Sequence, residues 1–166
     1  FGTANVPAGQ VTPDGERAEL LRRFRGWHDP IEALITATPD RAILRNDMYD
    51  RAPIAEWGRG RVTLLGDAAH PMTPNLGQGG WQAIEDAVVL ASILKAVPAS
   101  GMTEALRTYE TRRVTRTSMM VKTSRRVGAV AQIENPILVA ARNTLVKAVG
   151  GRMQARQIAS LITPVV

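Results

Sequence analysis

The stretch from Gly60 to Leu94 constrains the fold more than any other part of the 166-residue sequence. Its first segment, residues 61–66, is short, rich in apolar and β-branched residues and bounded by glycines, which is typical of a strand buried in a parallel sheet. A loop rich in proline and glycine comes next, and apolar residues then recur at helical spacing from Trp81 onward. The pattern predicts a strand, a loop and a helix of an α/β fold.

The remaining sequence predicts five further helices, the end of a strand over residues 1–6 and one more strand. The helices are indicated by apolar residues at spacings of three and four, and their ends by proline and glycine. The helices are expected over residues 16–27, 31–38, 103–128, 137–149 and 152–161, and the second strand is expected over 42–47.

The charge of the chain is unevenly distributed. Residues 1–103 carry 10 basic and 12 acidic side chains, whereas residues 104–166 carry 11 basic and 3 acidic ones. A basic tail can bind nucleic acid or an anionic surface, but a solvated helix face or a face that covers an acidic partner has the same composition. The chain has only two Tyr, two Phe and three Trp for stacking on bases, so we do not expect nucleic-acid binding.

Several classes of protein are excluded by what the sequence lacks. It contains no cysteine, which excludes a disulfide scaffold, thiol catalysis and a zinc site built from thiolates. No apolar run approaches the ~18 residues that a membrane span needs. The first residues show no basic-then-apolar signal pattern, and the expected compartment is the cytoplasm.

A candidate ligand site lies between the strand and the helix. Asp67 stands at the carboxyl end of the strand, the edge at which open α/β sheets bind ligands, and its carboxylate can hold a vicinal diol. The glycines after it let a flat ligand approach the backbone, and the N-terminus of the next helix stabilises negative charge. A polyol-bearing cofactor that becomes anionic fits this arrangement. The alternative is a tight turn in which Asp67 caps the helix and the glycines serve geometry alone.

Four other polar residues near this site have competing interpretations. One Asp and one His without a third ligand are a weak metal signal, so no metal is expected and His70 is assigned a structural role in preference to acid–base catalysis. Glu85 and Asp86 are expected to favour the helix dipole or to form an ion pair. Arg51 either reaches the ligand cleft or pairs with a neighbouring aspartate.

The order of these residues resembles a known family of flavoproteins. It is similar to that of the FAD-dependent aromatic hydroxylases, the para-hydroxybenzoate hydroxylase-like monooxygenases, and within them to the salicylate hydroxylase, zeaxanthin epoxidase and urate hydroxylase type. Gly66-Asp67-Ala68-Ala69-His70-Pro71 matches the second flavin-binding motif of that family, and residues 82–87 match the helix that comes after this motif. Trp81 departs from the pattern, because many relatives carry Asn there, and a packing role is expected for it.

The resemblance implies a cofactor, a reaction and a division of the chain. It implies FAD as cofactor, with O2 and NAD(P)H used to hydroxylate or epoxidise an aromatic or conjugated substrate, and no catalytic side chain in this sequence. It implies a partial doubly wound FAD-binding domain over 51–98, a remnant of the substrate-domain sheet over 1–50 and closing helices over 99–166. The implied cofactor-binding residues are Gly66, Asp67, Pro71, Pro74, Gly77, Gln78, Gly79 and Gly80.

The sequence also lacks parts that the family normally has. No Gly-x-Gly-x-x-Gly turn comes after a strand, so the cradle for the ADP part of FAD is not found. We therefore expect the chain to be the C-terminal portion of such an enzyme, to bind FAD weakly or not at all when alone, and to dock on the missing N-terminal half. A homodimer is another way to cover that surface. The alternative function is a non-catalytic helical interaction module with a basic tail.

Overall fold

The computed structural model describes the backbone of residues 6–10, 12–95 and 97–162, and its side-chain description runs to residue 148 and includes Gly150. The described residues form five α-helices joined by loops and by short 3-10 turns. The helices are α1 (Glu16–Arg23), α2 (Ile31–Ala37), α3 (Gly79–Leu94), α4 (Met102–Ala131) and α5 (Pro136–Ile162). The chain divides into two compact units, residues 1–48 and residues 49–166.

The first unit consists of α1, α2 and the segments around them. α1 carries Glu16 and Glu19 in its first turn and Arg22 and Arg23 in its last, which matches the direction of the helix dipole. The helix packs on α2. The guanidinium of Arg17 donates to the carbonyl of Thr38 at 2.6 Å, so one side chain joins the end of α2 to α1.

The second unit is organised by α4, which packs on α3 and on the 3-10 turn Pro74–Leu76. Buried residues recur every three or four positions along most of α4. This spacing places them on one face of the helix, which is therefore the buried face. Around its first half lies a small apolar core formed by Trp57, Ala69, Val89 and Tyr109. The indole of Trp57 contacts the rings of both Tyr109 and His70, so this core lies directly beneath the predicted ligand turn.

The strands expected over 42–47 and 61–66 are not observed, since the described residues show an isolated bridge between Arg59 and Val62 and no strand. The strand end expected over 1–6 lies, except for residue 6, outside the described residues. Segment 42–47 begins inside a 3-10 turn and continues as irregular chain. In segment 61–66, the amide of Leu64 donates to the carbonyl of Trp57 at 3.1 Å, which closes a turn. An apolar run indicates that a segment is suited to burial. A strand also needs a neighbouring strand with which its backbone forms hydrogen bonds. The sheet remnant implied by the resemblance is thus not observed.

The helices agree better with the sequence pattern, with two differences. α1 ends at Arg23, four residues before the expected end, and the chain leaves it through Gly26 in a left-handed conformation with φ of 74°. The two helices expected over 137–149 and 152–161 form the single helix α5, which runs through Gly150 and Gly151. Glycine lowers helix stability by about 1 kcal/mol relative to alanine but does not forbid the conformation.

Candidate functional site

The turn that carries Asp67 is held from inside the protein. Gly66 is buried, adopts a left-handed φ of 59° and donates its amide to Asp86 at 2.9 Å. A Cβ at this position would lie 3.2 Å from the Cβ of Ala83, so both conformation and space favour glycine. The amide of His70 donates to the carbonyl of Gly66 at 2.9 Å. The turn therefore buries both of its ends and leaves Asp67 exposed.

Asp67 lies close to the start of α3. Its Oδ1 is 4.0 Å from the position that a Cβ on Gly79 would occupy, and Gly79 is the first residue of the helix. The N-cap residue, Gln78, makes no side-chain capping bond, and a Cβ on Gly80 would meet open space. A carboxylate and the positive end of a 16-residue helix thus share one accessible surface, where a ligand can meet a hydrogen-bond acceptor and backbone donors together.

The loop between the turn and α3 brings the remaining predicted residues to the same region. Pro71 is half-buried, and Pro74 is exposed and opens the 3-10 turn Pro74–Leu76. Gly77 closes that turn in a left-handed conformation with φ of 64°, and its amide donates to the carbonyl of Pro74 at 2.9 Å. The structure therefore brings the eight predicted cofactor-binding residues together in one turn, one loop and one helix start.

A buried charge network lies beneath the turn. It contains the ion pair that was one of the two alternatives expected for Glu85 and Asp86, while Arg113, its buried partner, was not predicted. The carboxylate of Asp86 is completely buried and accepts hydrogen bonds from the Gly66 amide, from Nε2 of His70 at 2.6 Å and from Nε of Arg113 at 2.6 Å. The guanidinium of Arg113, also fully buried, further donates to Glu85 at 2.5 Å and to Oε1 of Gln82 at 2.8 Å. The signal in the sequence was the presence of two adjacent acidic residues on α3 and of several arginines on the later basic helix.

The network shifts the pKa values of its acidic groups. Burial alone would raise the pKa of Asp86, but the hydrogen bonds from His70, Arg113 and the Gly66 amide outweigh it and hold that pKa below its usual value. The pKa of Glu85 is lowered in the same way, because the hydrogen bonds from Arg116 and Arg113 outweigh its partial burial. Burial and the nearby Asp86 carboxylate raise the pKa of Tyr109. The two carboxyl groups are therefore charged at neutral pH.

The other singled-out residues have structural partners. His70 is buried between Asp86 and Trp57, which agrees with the structural role assigned to it. Arg51 donates to the carbonyls of Ala68 and Ala69 at 3.1 and 2.8 Å, so its guanidinium braces the Asp67 turn from outside. Among the described residues, no group of three or more potential metal ligands is found.

Much of the positive charge of the C-terminal part is used within the chain. Arg107 pairs with Glu110, Arg116 with Glu85, and Arg125 with Asp50, in addition to the buried Arg113. These arginines are therefore not a free basic surface. In the part of the chain that the structure describes, no helix is long and apolar enough to cross a membrane.

Comparison with known sequences points in one direction. Residues 34–124 match a family described as FAD binding domain. The aurachin C monooxygenase/isomerase of Stigmatella aurantiaca is 48% identical over 157 residues, covering 94% of this chain and 40% of that protein. The chloroplastic zeaxanthin epoxidase of Nicotiana plumbaginifolia is 49% identical over 125 residues, covering 70% of this chain and 19% of that protein. The chain thus spans two fifths or less of the length of these relatives.

Solved structures give the same result. The structure of Klebsiella pneumoniae HpxO complexed with FAD and uric acid is 34% identical and superposes with a TM-score of 0.86 over 98% of this chain and 42% of that one. A substrate complex of salicylate hydroxylase superposes with a TM-score of 0.62 at 25% identity. The likeness to HpxO covers the Asp67 turn, the loop and α3, since it extends over nearly all of the chain.

Proposed function

The chain belongs to the FAD binding domain family of flavoprotein monooxygenases, and from that premise we propose that it supplies the flavin-ring side of an FAD site. The parent activity is hydroxylation or epoxidation of an aromatic or conjugated substrate with O2 and NAD(P)H. The observation that carries the proposal is the shared surface of the exposed Asp67 carboxylate and the uncapped start of α3. Chemically, this surface suits a ligand that has a polyol chain beside a ring able to become anionic.

Each residue of the surface has a proposed role. The Asp67 carboxylate accepts a hydrogen bond from a ribityl hydroxyl, and the amides of Gly79 and Gly80 face the N1–C2 carbonyl edge of the flavin. Pro71, Pro74 and Gly77 line the isoalloxazine ring, while Gly66 and Gln78 shape the turn and the start of the helix. The exposure of Asp67, Pro74 and Gly80 and the open space at Gly77 and Gly80 support this assignment, because a ligand can reach these atoms.

Bound FAD supplies the electron transfer and oxygen chemistry, for which side chains alone have no equivalent. The chain contributes position and electrostatics. The positive end of α3 stabilises the negative charge that the ring carries when reduced, and the buried network fixes the Asp67 turn from below. We assign no catalytic side chain within this chain.

The substrate and the division of the chain are part of the proposal. HpxO is crystallised with uric acid, which supports a small conjugated substrate. Residues 1–50 are proposed as a remnant of the substrate-binding domain, 51–98 as the FAD-binding segment and 99–166 as closing helices. Segments 42–47 and 61–66 are proposed to join sheets whose other strands lie outside this chain. The proposed compartment is the cytoplasm, although the zeaxanthin epoxidases are named as chloroplastic.

A partner for this chain is proposed from the pattern of α3. Its buried face carries the polar Gln82 and Asp86, whereas its outer face carries Trp81, Ile84 and Val88, which are 64%, 57% and 53% exposed. An apolar stripe of this kind on a folded protein marks an interaction surface. We propose that the rest of the FAD-binding domain covers it, since the relatives are more than twice as long as the matched stretch. The comparisons do not favour the alternative of a helical module with a basic tail.

The experiment that tests this function is a chimera. The chain replaces the matched segment of HpxO, and the purified chimera is assayed for bound FAD by absorbance and for substrate-dependent oxidation of NAD(P)H. We expect FAD to be retained and NAD(P)H to be consumed, with no measurable activity from the chain alone. A chimera that melts cooperatively but takes up no FAD would overturn the proposal.

A further inference from the structure

The loop that carries Pro71, Pro74 and Gly77 is attached to one face of α4. The hydroxyl of Ser124 donates to the carbonyl of Thr73 at 2.6 Å, and the two hydroxyl oxygens lie 3.0 Å apart. Ser124 is fully buried. The contact therefore joins the backbone of the loop to a position inside a 30-residue helix, two turns before its end, which is a rigid support.

One helical turn further along, Gly128 meets the next part of the loop. A Cβ on Gly128 would lie 2.7 Å from Oδ1 and 3.2 Å from Nδ2 of Asn75, and 3.1 Å from its Cγ. The Asn75 side chain thus occupies the space that glycine leaves on the helix surface, and a methyl group at Gly128 would displace it. Glycine is otherwise unfavourable inside a helix, and the close approach of Asn75 gives a physical reason for its presence.

The two contacts orient the loop. Thr73 and Asn75 turn towards α4 and are partly buried, whereas Pro74 and Gly77 are exposed. Pro74 and Gly77, which are proposed to line the flavin ring, thus lie next to or near Thr73 and Asn75, which contact α4. We expect a change in these contacts to displace Pro74 and Gly77 as well.

We propose that Ser124 and Gly128 are positioning residues of the flavin site, which set the distance between the Pro71–Gly77 loop and the isoalloxazine ring. This inference rests on the proposed FAD site. Neither residue touches the cofactor in the proposal; each acts through the loop. The two residues are four positions apart and lie on one face of α4. A single helix therefore fixes the position of the loop at two points.

The test is a set of variants in the FAD-loaded chimera with HpxO. Gly128→Ala is expected to raise the dissociation constant of FAD about fivefold or more and to shift the visible absorption and circular dichroism of the bound flavin, because small displacements at a site of this kind are costly. The melting temperature is not expected to fall with it, since alanine is the better helix former. The exposed Ala129→Gly change, one residue along, serves as the control and is expected to leave the flavin spectrum unchanged.

A second variant separates positioning from a general effect on the helix. Asn75→Ala removes the side chain that the new methyl group would meet, so the double variant Asn75→Ala/Gly128→Ala is expected to bind FAD within about twofold of Asn75→Ala alone. In the 166-residue chain without flavin, Gly128→Ala is expected to shift the backbone amide resonances of residues 73–77 more than those of residues 82–89.

Three results would overturn the inference. The first is an FAD affinity and flavin spectrum of Gly128→Ala that equal those of the parent chimera. The second is a loss of affinity that Asn75→Ala does not relieve, which means that the glycine serves helix packing alone. The third is a folded parent chimera without FAD, in which case the proposed function fails and the inference fails with it. The first two leave the proposed function intact, so the failures are distinguishable.

Discussion

Asp86 is the residue that connects the Asp67 turn to the rest of the second unit. It accepts a hydrogen bond from each end of the turn, at the Gly66 amide and at His70, and it pairs with Arg113 on α4. All of these groups are buried. The buried carboxylate depends on its hydrogen-bond partners, because an unpaired buried charge is costly. For the same reason, the buried guanidinium of Arg113 depends on the carboxylates that surround it.

Removing this carboxylate is expected to destabilise the chain strongly. Asp86→Asn removes one of the two carboxylates that pair with the buried guanidinium of Arg113 and leaves Glu85 as the other. It is expected to lower the free energy of unfolding by about 3 kcal/mol. Chemical denaturation of the chain followed by circular dichroism measures this change. The control is Asp40→Ala, which breaks the exposed pair with Arg17 and is expected to cost about 1 kcal/mol or less. Equal losses for the two variants would contradict the account.

The network also predicts the direction of the pH dependence. The pKa values of Asp86 and Glu85 are lower in the folded chain than their usual values of 3.8 and 4.5, so their contribution to stability is fully present above about pH 4.5 and is lost as the pH falls further. Denaturation at a series of pH values between about 6 and 3 is expected to show this loss. Because Asp86→Asn lacks one of the two groups, its curve is expected to be flatter and to approach that of the parent chain at low pH. Parallel curves would contradict this assignment.

At the scale of elements, the structure shows α4 as the support for everything that surrounds the candidate site. Its buried face contacts the segment before the turn through Tyr109, the network through Arg113 and the loop through Ser124 and Gly128. The guanidinium of Arg107 adds a contact to the carbonyls of Gly58 and Val62 at 2.5 and 3.1 Å. The turn between those two carbonyls is therefore packed against the helix and has little room to adjust.

Substitution by alanine is expected to destabilise the chain by different amounts at two glycines of that turn. A Cβ on Gly58 would lie 2.1 Å from the carbonyl oxygen of Val62, whereas Gly60 has open space and only a positive φ of 56°. Gly58→Ala is expected to lower the unfolding free energy by about 3 kcal/mol through backbone displacement, and Gly60→Ala by about 1 kcal/mol through strain. Thermal and denaturant unfolding compare the two variants. A larger loss for Gly60→Ala would contradict the observed packing.

The pattern of apolar residues located α3 and α4 to within a few residues, because each helix is defined by bonds within its own segment. The strand expected over 61–66 did not form, because a strand depends on neighbours that the pattern does not report. The turn, loop and helix start around Asp67 were located from residue types alone. The Asp86–Arg113 pair was not, because residues 27 positions apart become neighbours only when α3 and α4 pack.

For the chain as a whole, the exposed apolar stripe of α3 is the feature that we expect to determine its association in solution. We expect the chain alone to self-associate at concentrations of about 100 µM, because Trp81, Ile84 and Val88 are uncovered and adjacent. Ile84→Gln/Val88→Gln is expected to reduce this association in sedimentation velocity. Val62→Gln, which changes another exposed apolar residue, is the control. A chain that stays monomeric at this concentration would contradict the assignment of the stripe as an interface.

In the proposed site, the Asp67 turn and the start of α3 hold the flavin side of FAD. The most direct measurement is the dissociation constant of FAD in the chimera with HpxO for Asp67→Ala and for Asp14→Ala, the latter changing an exposed turn residue in the first unit. Loss of a hydrogen bond to a charged acceptor corresponds to about a tenfold or greater weakening. The account predicts this weakening for Asp67→Ala and none for Asp14→Ala. Equal affinities of the two variants would contradict it.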